Sequence, residues 1–325
     1  MTEQPAATPT APTALTAPAR RRPLKVGVQL PEVEREVRWS EYLAMARRAE
    51  ALGYDSIWVG DHLLYRRPGE PEARGPWECW SLLSALAAAT DRVELGPLVA
   101  STSFHAPAML AKKAATVDEI SGGRLILGLG AGWNETEYSA FGFPFDHRIS
   151  RFEEAFTIIR TLLADGAIDF EGTYYTARDC ELRPRGPRLA GPPILLGSSG
   201  ERMLAIGAAY IASWNAWYAD TGNRPAGVAA LRAKVDDAAR AAGRDPAEIE
   251  RTVAVLVGLT GGGGRVQGDT SQQGIAPLRG TPEAMAEELR AYAREGIGHV
   301  QLVLDPITLG SIEEFAPVLE LLDRG

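Results

Sequence analysis

The sequence contains few of the residues that build disulfide frameworks and metal centres. It has two cysteines and four histidines in 325 residues, and none of these six lies within a few positions of another. The spacings typical of zinc sites, such as Cys-x-x-Cys, do not occur. We therefore expect a protein of a reducing compartment, with no disulfide and no resident metal ion.

Strong charge of one sign and long apolar runs are also absent. The 34 basic and 42 acidic side chains give a net charge of -8, which provides no field that attracts nucleic acid or an anionic membrane. No apolar run approaches the roughly 18 residues of a transmembrane helix. Arginines at positions 20–22 resemble the start of an export signal, but acidic residues within positions 32–36 interrupt the apolar segment that must follow. We expect a cytoplasmic protein without a membrane or nucleic-acid partner.

The first 22 residues differ in composition from the rest of the chain. They are rich in alanine, proline and threonine and cannot bury enough apolar surface to fold. The remainder is long enough for a large core, since 45% of the whole chain is hydrophobic. We expect residues 1–22 to form a disordered tail and residues 23–325 to form a single domain.

Strand-like and helix-like segments alternate beyond this tail. Short apolar runs typical of buried parallel strands are each followed by apolar residues at helical spacing. The predicted strands are residues 24–30, 56–60, 93–100, 124–130, 193–196, 212–215, 252–259 and 299–304. The predicted helices are residues 39–52, 78–90, 107–120, 148–164, 227–242 and 312–322, with two more starting at 201 and 281. Eight alternations predict an α/β fold, a (β/α)8 TIM barrel, with rim insertions such as a hairpin around 170–175.

The fourth predicted strand ends in three glycines, Gly128, Gly130 and Gly132. Glycines at a strand end strip side chains from the backbone, which leaves room for a flat ligand. The dinucleotide fingerprint G-x-G-x-x-G does not fit, because Trp133 occupies the position of its third glycine. A plain strand-to-helix turn without a ligand is the alternative interpretation.

The carboxyl ends of all barrel strands meet at one mouth, where ligands bind. Polar and aromatic side chains follow five of these strands: Asp61, His62, Ser101, Thr102, His105, Trp133, Asn134, residues 197–202, Trp214 and Asn215. Among them, Asp61 and His62 are adjacent, and such a pair can tune a proton donor or acceptor near neutral pH. Alternatively, Asp61 caps the next segment and His62 only packs.

The segment 197–202 has the composition of a phosphate-binding turn. Gly197 and Gly200 allow exposed backbone N–H groups, Ser198 and Ser199 supply hydroxyls, and Arg202 supplies positive charge at the start of a helix. An ordinary helix N-cap is the alternative.

Two further features bear on the mouth. Four tryptophans are candidates for an apolar wall beside a ring system, or for core positions: Trp58, Trp133, Trp214 and Trp217. The glycine-rich segment 261–274 lies between the seventh strand and its helix, so it is either a lid over the mouth or a disordered loop.

Several of these segments together resemble the bacterial luciferase-like oxidoreductases, a barrel family that uses FMN or the deazaflavin coenzyme F420. The matching segments are residues 53–62 (GYDSIWVGDH), 114–124 (AATVDEISGGR), 128–133 (GLGAGW), 193–200 (PILLGSSG) and 213–215 (SWN). They span nearly the whole chain beyond the tail, in the expected order.

The resemblance implies roles for particular residues. Asp61 and His62 match the pair that meets the cofactor ring and moves a proton in the deazaflavin branch, where true luciferases commonly have Glu-His. The strand around 96–99 matches a backbone bulge, sometimes with a cis peptide, that supports the ring, and 197–200 match the phosphate turn. The implied cofactor contacts are Asp61, Leu98, Val99, Ser101, Gly132, Trp133, Asn134, Gly197, Ser198, Ser199, Gly200 and Arg202.

The resemblance therefore implies an F420-dependent oxidoreductase that transfers a hydride between the deazaflavin and a small organic substrate, with His62 as proton relay. Trp133 stands where the family's sugar-phosphate dehydrogenases have a glutamate, which argues against that substrate. One alternative is an FMN-dependent monooxygenase that receives reduced flavin from a separate reductase. Another is a barrel that binds flavin without catalysis. The resemblance also implies a homodimer.

Overall fold

The structure is a computed structural model that describes residues 22–66, 72–263 and 274–325. The predicted tail, apart from Arg22, and residues 264–273 of the predicted lid lie outside the described residues. Arg22 corrects the predicted tail boundary: its guanidinium is buried and donates to Asp323 (2.7 Å) and Asp55 (3.0 Å). Arg22 therefore belongs to the folded body.

Parallel strands form a closed barrel, as predicted. The strands are β1 (Lys25–Gln29), β2 (Ser56–Val59), β3 (Glu94–Pro97), β4 (Ala100–Ser101), β5 (Leu127–Gly130), β6 (Ala167–Glu171), β7 (Thr176–Glu181), β8 (Ile194–Leu196), β9 (Ser213–Ala216), β10 (Glu250–Gly258) and β11 (Ile297–Asp305). The sheet order is β3-β2-β1-β11-β10-β9-β8-β5-β4, while β6 and β7 form a separate hairpin. The ring closes between β3 and the segment just before β5. There the N–H of Leu95 donates to the carbonyl of Arg124 (3.1 Å), and the N–H of Ile126 donates to the carbonyl of Leu95 (2.8 Å). Because β3 and β4 are two halves of one barrel strand, the barrel has eight strands.

Helices cover the outside of this barrel. They are α1 (Trp39–Leu52), α2 (Cys79–Ala89), α3 (Pro107–Ile120), α4 (Glu135–Phe141), α5 (Arg148–Asp165), α6 (Glu201–Gly207), α7 (Val228–Ala241), α8 (Pro282–Arg294), α9 (Leu309–Glu314) and α10 (Ala316–Arg324). Three details differ from the prediction: α4 was not predicted, the last helix is divided at Phe315, and the strand predicted at 93–100 is interrupted after Pro97. None of the helices in the described ranges has the length and apolarity needed to cross a bilayer.

The interruption is a bulge at Leu98 and Val99, whose peptide bond is cis. Neighbouring glycines make room for it. A Cβ on Gly128 would lie 2.1 Å from the carbonyl oxygen of Pro97, and one on Gly130 would lie 2.7 Å from Val99. The interpretation that the glycines leave room for a ligand is therefore corrected: at Gly128 and Gly130 the space is filled by the bulge, which is itself turned toward the barrel mouth.

Candidate active site

A cavity of about 530 Å³ opens at the carboxyl ends of the barrel strands. The predicted site residues that line it are Asp61, His62, Leu98, Val99, Ser101, Gly132, Trp133, Gly197 and Ser198. The predicted contacts that do not line it are Asn134, Ser199, Gly200 and Arg202. The barrel topology therefore gathers most of the predicted residues at one surface.

His62 is held by a carboxylate that the sequence did not reveal. Its Nδ1 lies 2.8 Å from Oε1 of Glu137, which projects from α4 and is buried. The second oxygen of Glu137 accepts from the backbone N–H of Leu63 at 2.8 Å. With Nδ1 engaged, Nε2 is the ring nitrogen left for a molecule in the cavity, and it has no hydrogen-bond partner among the described residues.

The surroundings of His62 favour its protonated form. Burial alone lowers the pKa of this imidazole, but the hydrogen bond to Glu137, with the charges of Glu32, Glu137 and Asp61, raises it above the ordinary value of 6.5. The raised pKa keeps more of His62 protonated near neutral pH than of a free imidazole, so the ring can donate a proton to a molecule in the cavity.

Asp61 does not bond to His62. Its Oδ2 accepts from the backbone N–H of Ser101 (2.9 Å) and lies 2.9 Å from Nε2 of His105. The Asp61 carboxylate therefore acts on His62 through its charge, which raises the pKa of the imidazole, and not through a hydrogen bond. Asp61 holds the end of β4 through Ser101, and its side-chain partner is His105.

The base of the cavity is apolar. A buried cluster inside the barrel consists of Trp58, Leu98, Ile126 and Leu195, with Val99 and Trp217 packed against it. Of the four tryptophans proposed as a wall, only Trp133 and Trp217 line the cavity. Trp58 is fully buried, and Trp214 is buried with its indole N–H donated to the carbonyl of Ser198 at 2.8 Å.

The predicted phosphate turn is only partly at the cavity. Gly197 and Ser198 line it, but the exposed Arg202 turns away to Glu153 (2.9 Å) and Ser150 (3.0 Å) on α5. Arg202 stays a prediction as a cofactor contact, and its place outside the cavity lining argues against it. The arginine in the cavity wall is Arg148, at the start of α5, which donates to the carbonyl of Gly132.

Comparison with family models matches residues 23–261 to the luciferase-like monooxygenases. The chain belongs to the luciferase-like monooxygenase family. The resemblance inferred from the sequence motifs is thus confirmed.

Relatives of this luciferase-like protein differ in cofactor and reaction. An F420-dependent glucose-6-phosphate dehydrogenase of Amycolatopsis mediterranei is 36% identical over 167 residues, 48% of this chain and 49% of that protein. The pyrimidine monooxygenase RutA of Enterobacter cloacae is 36% identical over 173 residues, 52% of this chain and 47% of RutA. The chain thus matches about half the length of each relative. An F420-dependent secondary alcohol dehydrogenase solved with an F420–acetone adduct has a TM-score of 0.76 at 21% identity, covering 92% of this chain and 99% of that one.

Four charged cavity residues of the luciferase-like barrel were missed from sequence: Glu32, Glu137, Arg148 and Asp220. Glu32 follows β1, so the rule that ligands bind at strand ends would have found it. A Cβ on Gly60 would lie 1.7 Å from the Glu32 carboxylate, so this glycine makes room for it. The helix that carries Glu137 was not predicted, and Arg148 was hidden as the first residue of a predicted helix.

The Glu137→Gln variant should lower the pKa of His62, because it removes both a charge-assisted hydrogen bond and a neighbouring negative charge that raise it. The protonated imidazole would then be lost at a lower pH than in the wild type. A histidine NMR titration measures this, with His105, bound to Asp61, as internal reference. An unchanged or raised pKa of His62 would contradict the assigned contact.

Proposed function

We propose that this chain is an oxidoreductase that uses coenzyme F420 to transfer a hydride to or from a small organic substrate. One observation carries the proposal: an imidazole held by a buried carboxylate stands at the edge of a cavity with an apolar base. A ring cofactor on that base would place its reactive edge beside a group able to give or take a proton. An F420-dependent dehydrogenase is among the relatives, so the family includes enzymes with this cofactor.

The residues present fit such a cofactor. Leu98, Val99 and Trp217 offer apolar surface for a flat ring. For the phosphate, Gly197 and Ser198 line the cavity, so a backbone turn and the Ser198 hydroxyl face it. The hydroxyl of Ser199 in the same turn is buried without a partner among the described residues, but it does not line the cavity. Arg148 supplies a positive charge among the described lining residues.

Within this scheme the chain's own residues bind, orient and move a proton. When bound, the deazaflavin supplies the hydride chemistry. Glu137 accepts a hydrogen bond from the Nδ1–H group of His62, which fixes the orientation of the ring. Nε2 is then left to exchange a proton with an oxygen or nitrogen atom of the substrate. Asp61 holds the Ser101 backbone next to the bulge, and so stabilises the surface on which the ring lies.

An FMN-dependent monooxygenase is the second candidate. The pyrimidine monooxygenase RutA matches at the same identity and similar coverage as the F420-dependent relative, which favours this reaction equally. It would require a reductase that supplies reduced flavin.

Cofactor titrations separate the candidates. We expect F420 fluorescence to be quenched on addition of the protein, with substrate-dependent oxidation or reduction of F420 over a panel of alcohols, ketones and enones. Oxygen consumption that depends on reduced FMN would select the monooxygenase instead. Binding of either ring without turnover on a broad panel would indicate a non-catalytic barrel, and binding of neither would refute all three.

Arg148→Ala should weaken F420 binding about tenfold or more, because a charge-assisted hydrogen bond to phosphate contributes about 1.5–3 kcal/mol. Arg202→Ala is the matched control, since this exposed arginine already bonds to Glu153 outside the cavity. Equilibrium fluorescence titrations of both variants measure the effect. If Arg202→Ala loses more F420 affinity than Arg148→Ala, then Arg202 is the phosphate contact, as the sequence predicted, and Arg148 is not.

The homodimer and the single barrel domain are also proposals. The family resemblance supports the first, and the continuous barrel from β1 to β11 supports the second. Sedimentation equilibrium and limited proteolysis test them.

A further inference from the structure

Trp133 is an unusually exposed aromatic side chain for a cavity wall. It retains 42% of its surface accessible, although it lines the cavity. Its ring lies 5.7 Å from that of His62 at an angle of 70°, and 6.2 Å from that of Tyr65. The edge-on contact leaves indole surface uncovered next to the proposed proton relay.

The backbone on both sides of Trp133 is fixed. Gly132 has a φ of +73°, and a Cβ there would lie 2.0 Å from the hydroxyl oxygen of Tyr138, so the position requires glycine. Arg148 bonds to the Gly132 carbonyl, and Asn134 donates from its side chain to the carbonyl of Leu64 at 3.1 Å. Asn134, predicted as a cofactor contact, does not line the cavity and holds this loop. The backbone that carries the indole is therefore held on both sides.

Trp133 does not belong to the buried cluster proposed as the cofactor surface. The apolar base consists of side chains from inside the barrel, whereas Trp133 stands on the loop after β5, beside His62. A molecule that exchanges a proton with Nε2 of His62 must lie next to this indole.

We propose that Trp133 forms the wall of the substrate compartment and selects flat, conjugated substrates. The assignment rests on the proposed function, because it places the cofactor ring over the apolar base and the substrate between that ring and the indole. Aromatic surfaces in such a slot bind planar molecules by offset or edge-to-face contact over a large buried area, which a saturated ring of similar size cannot match.

Binding of two matched probes tests the inference independently of turnover. The probes are 2-naphthol, which is flat, and decahydro-2-naphthol, which is saturated, and both are neutral. Calorimetry with the cofactor-loaded protein should show 2-naphthol binding about tenfold or more tightly than its saturated analogue. Equal affinities for the two probes would overturn the proposal.

Substitutions at position 133 separate stacking from simple apolar volume. Trp133→Phe should keep the preference for 2-naphthol, whereas Trp133→Leu and Trp133→Ala should lose it, with F420 affinity within about threefold of wild type in each. Thermal unfolding confirms that each variant is folded. If Trp133→Leu keeps the preference, or if F420 binding falls while naphthol binding persists, Trp133 does not form the substrate wall. If the protein binds neither F420 nor FMN but still prefers 2-naphthol, and loses this preference when Trp133 is replaced, the proposed function is wrong and the role of Trp133 stands.

Discussion

His62→Ala should reduce turnover about 100- to 10,000-fold, the range expected when a positioned general acid or base is removed. The ring is the only imidazole among the described cavity-lining residues, and its Nε2 is available to substrate. Alanine leaves a buried Glu137 carboxylate whose Oε2 still accepts from the Leu63 N–H. F420 affinity should stay within a few-fold of wild type, because no phosphate contact is removed.

The control for this variant is His147→Asn. His147 is exposed, lies outside the cavity lining and has a φ of 51°, a conformation that asparagine tolerates. The turnover rate of His147→Asn, measured by steady-state kinetics, should equal that of the wild type. If His62→Ala retains wild-type turnover, or loses activity only in proportion to lost cofactor binding, the proton-relay role is wrong.

Gly128→Ala should destabilise the barrel by about 1–3 kcal/mol, the usual cost of overpacking a tight core position. The new Cβ would lie 2.1 Å from the Pro97 carbonyl, and a backbone atom cannot turn aside as a side chain can. Relief would require movement of the bulge at Leu98 and Val99, so F420 affinity should fall as well.

Urea unfolding and F420 titration measure these two effects. Gly310→Ala in α9 is the matched control, since its Cβ would meet only Thr308 Oγ1 at 3.8 Å, and alanine favours a helix. Equal stability of the two variants would show that Gly128 does not make room for the bulge.

The barrel was predictable because each strand is a short, unbroken apolar run, and the run ending at Gly130 illustrates this. Its glycines were recognised but explained incorrectly, since the group that fills their space comes from a strand thirty residues earlier. Such packing between distant segments has no signature in a single sequence.

The site was only partly predictable for related reasons. The rule that strand ends meet at one mouth placed Asp61, His62 and Ser198 in one cavity. It did not show that His62 pairs with Glu137, which is 75 positions away on a seven-residue helix with little apolar periodicity. Arg202 was chosen because it follows the glycine turn, but contact with Glu153 draws it outward.

The account depends most on the claim that the cavity at the barrel mouth binds a flavin-type ring. A crystal structure of the protein with F420 tests this directly. We predict the ring over Leu98 and Val99, its phosphate between Ser198 and Arg148, and Nε2 of His62 facing the ring's reactive edge. A deazaflavin bound elsewhere on the protein, or one with its phosphate on the His62 side of the cavity, would contradict the account.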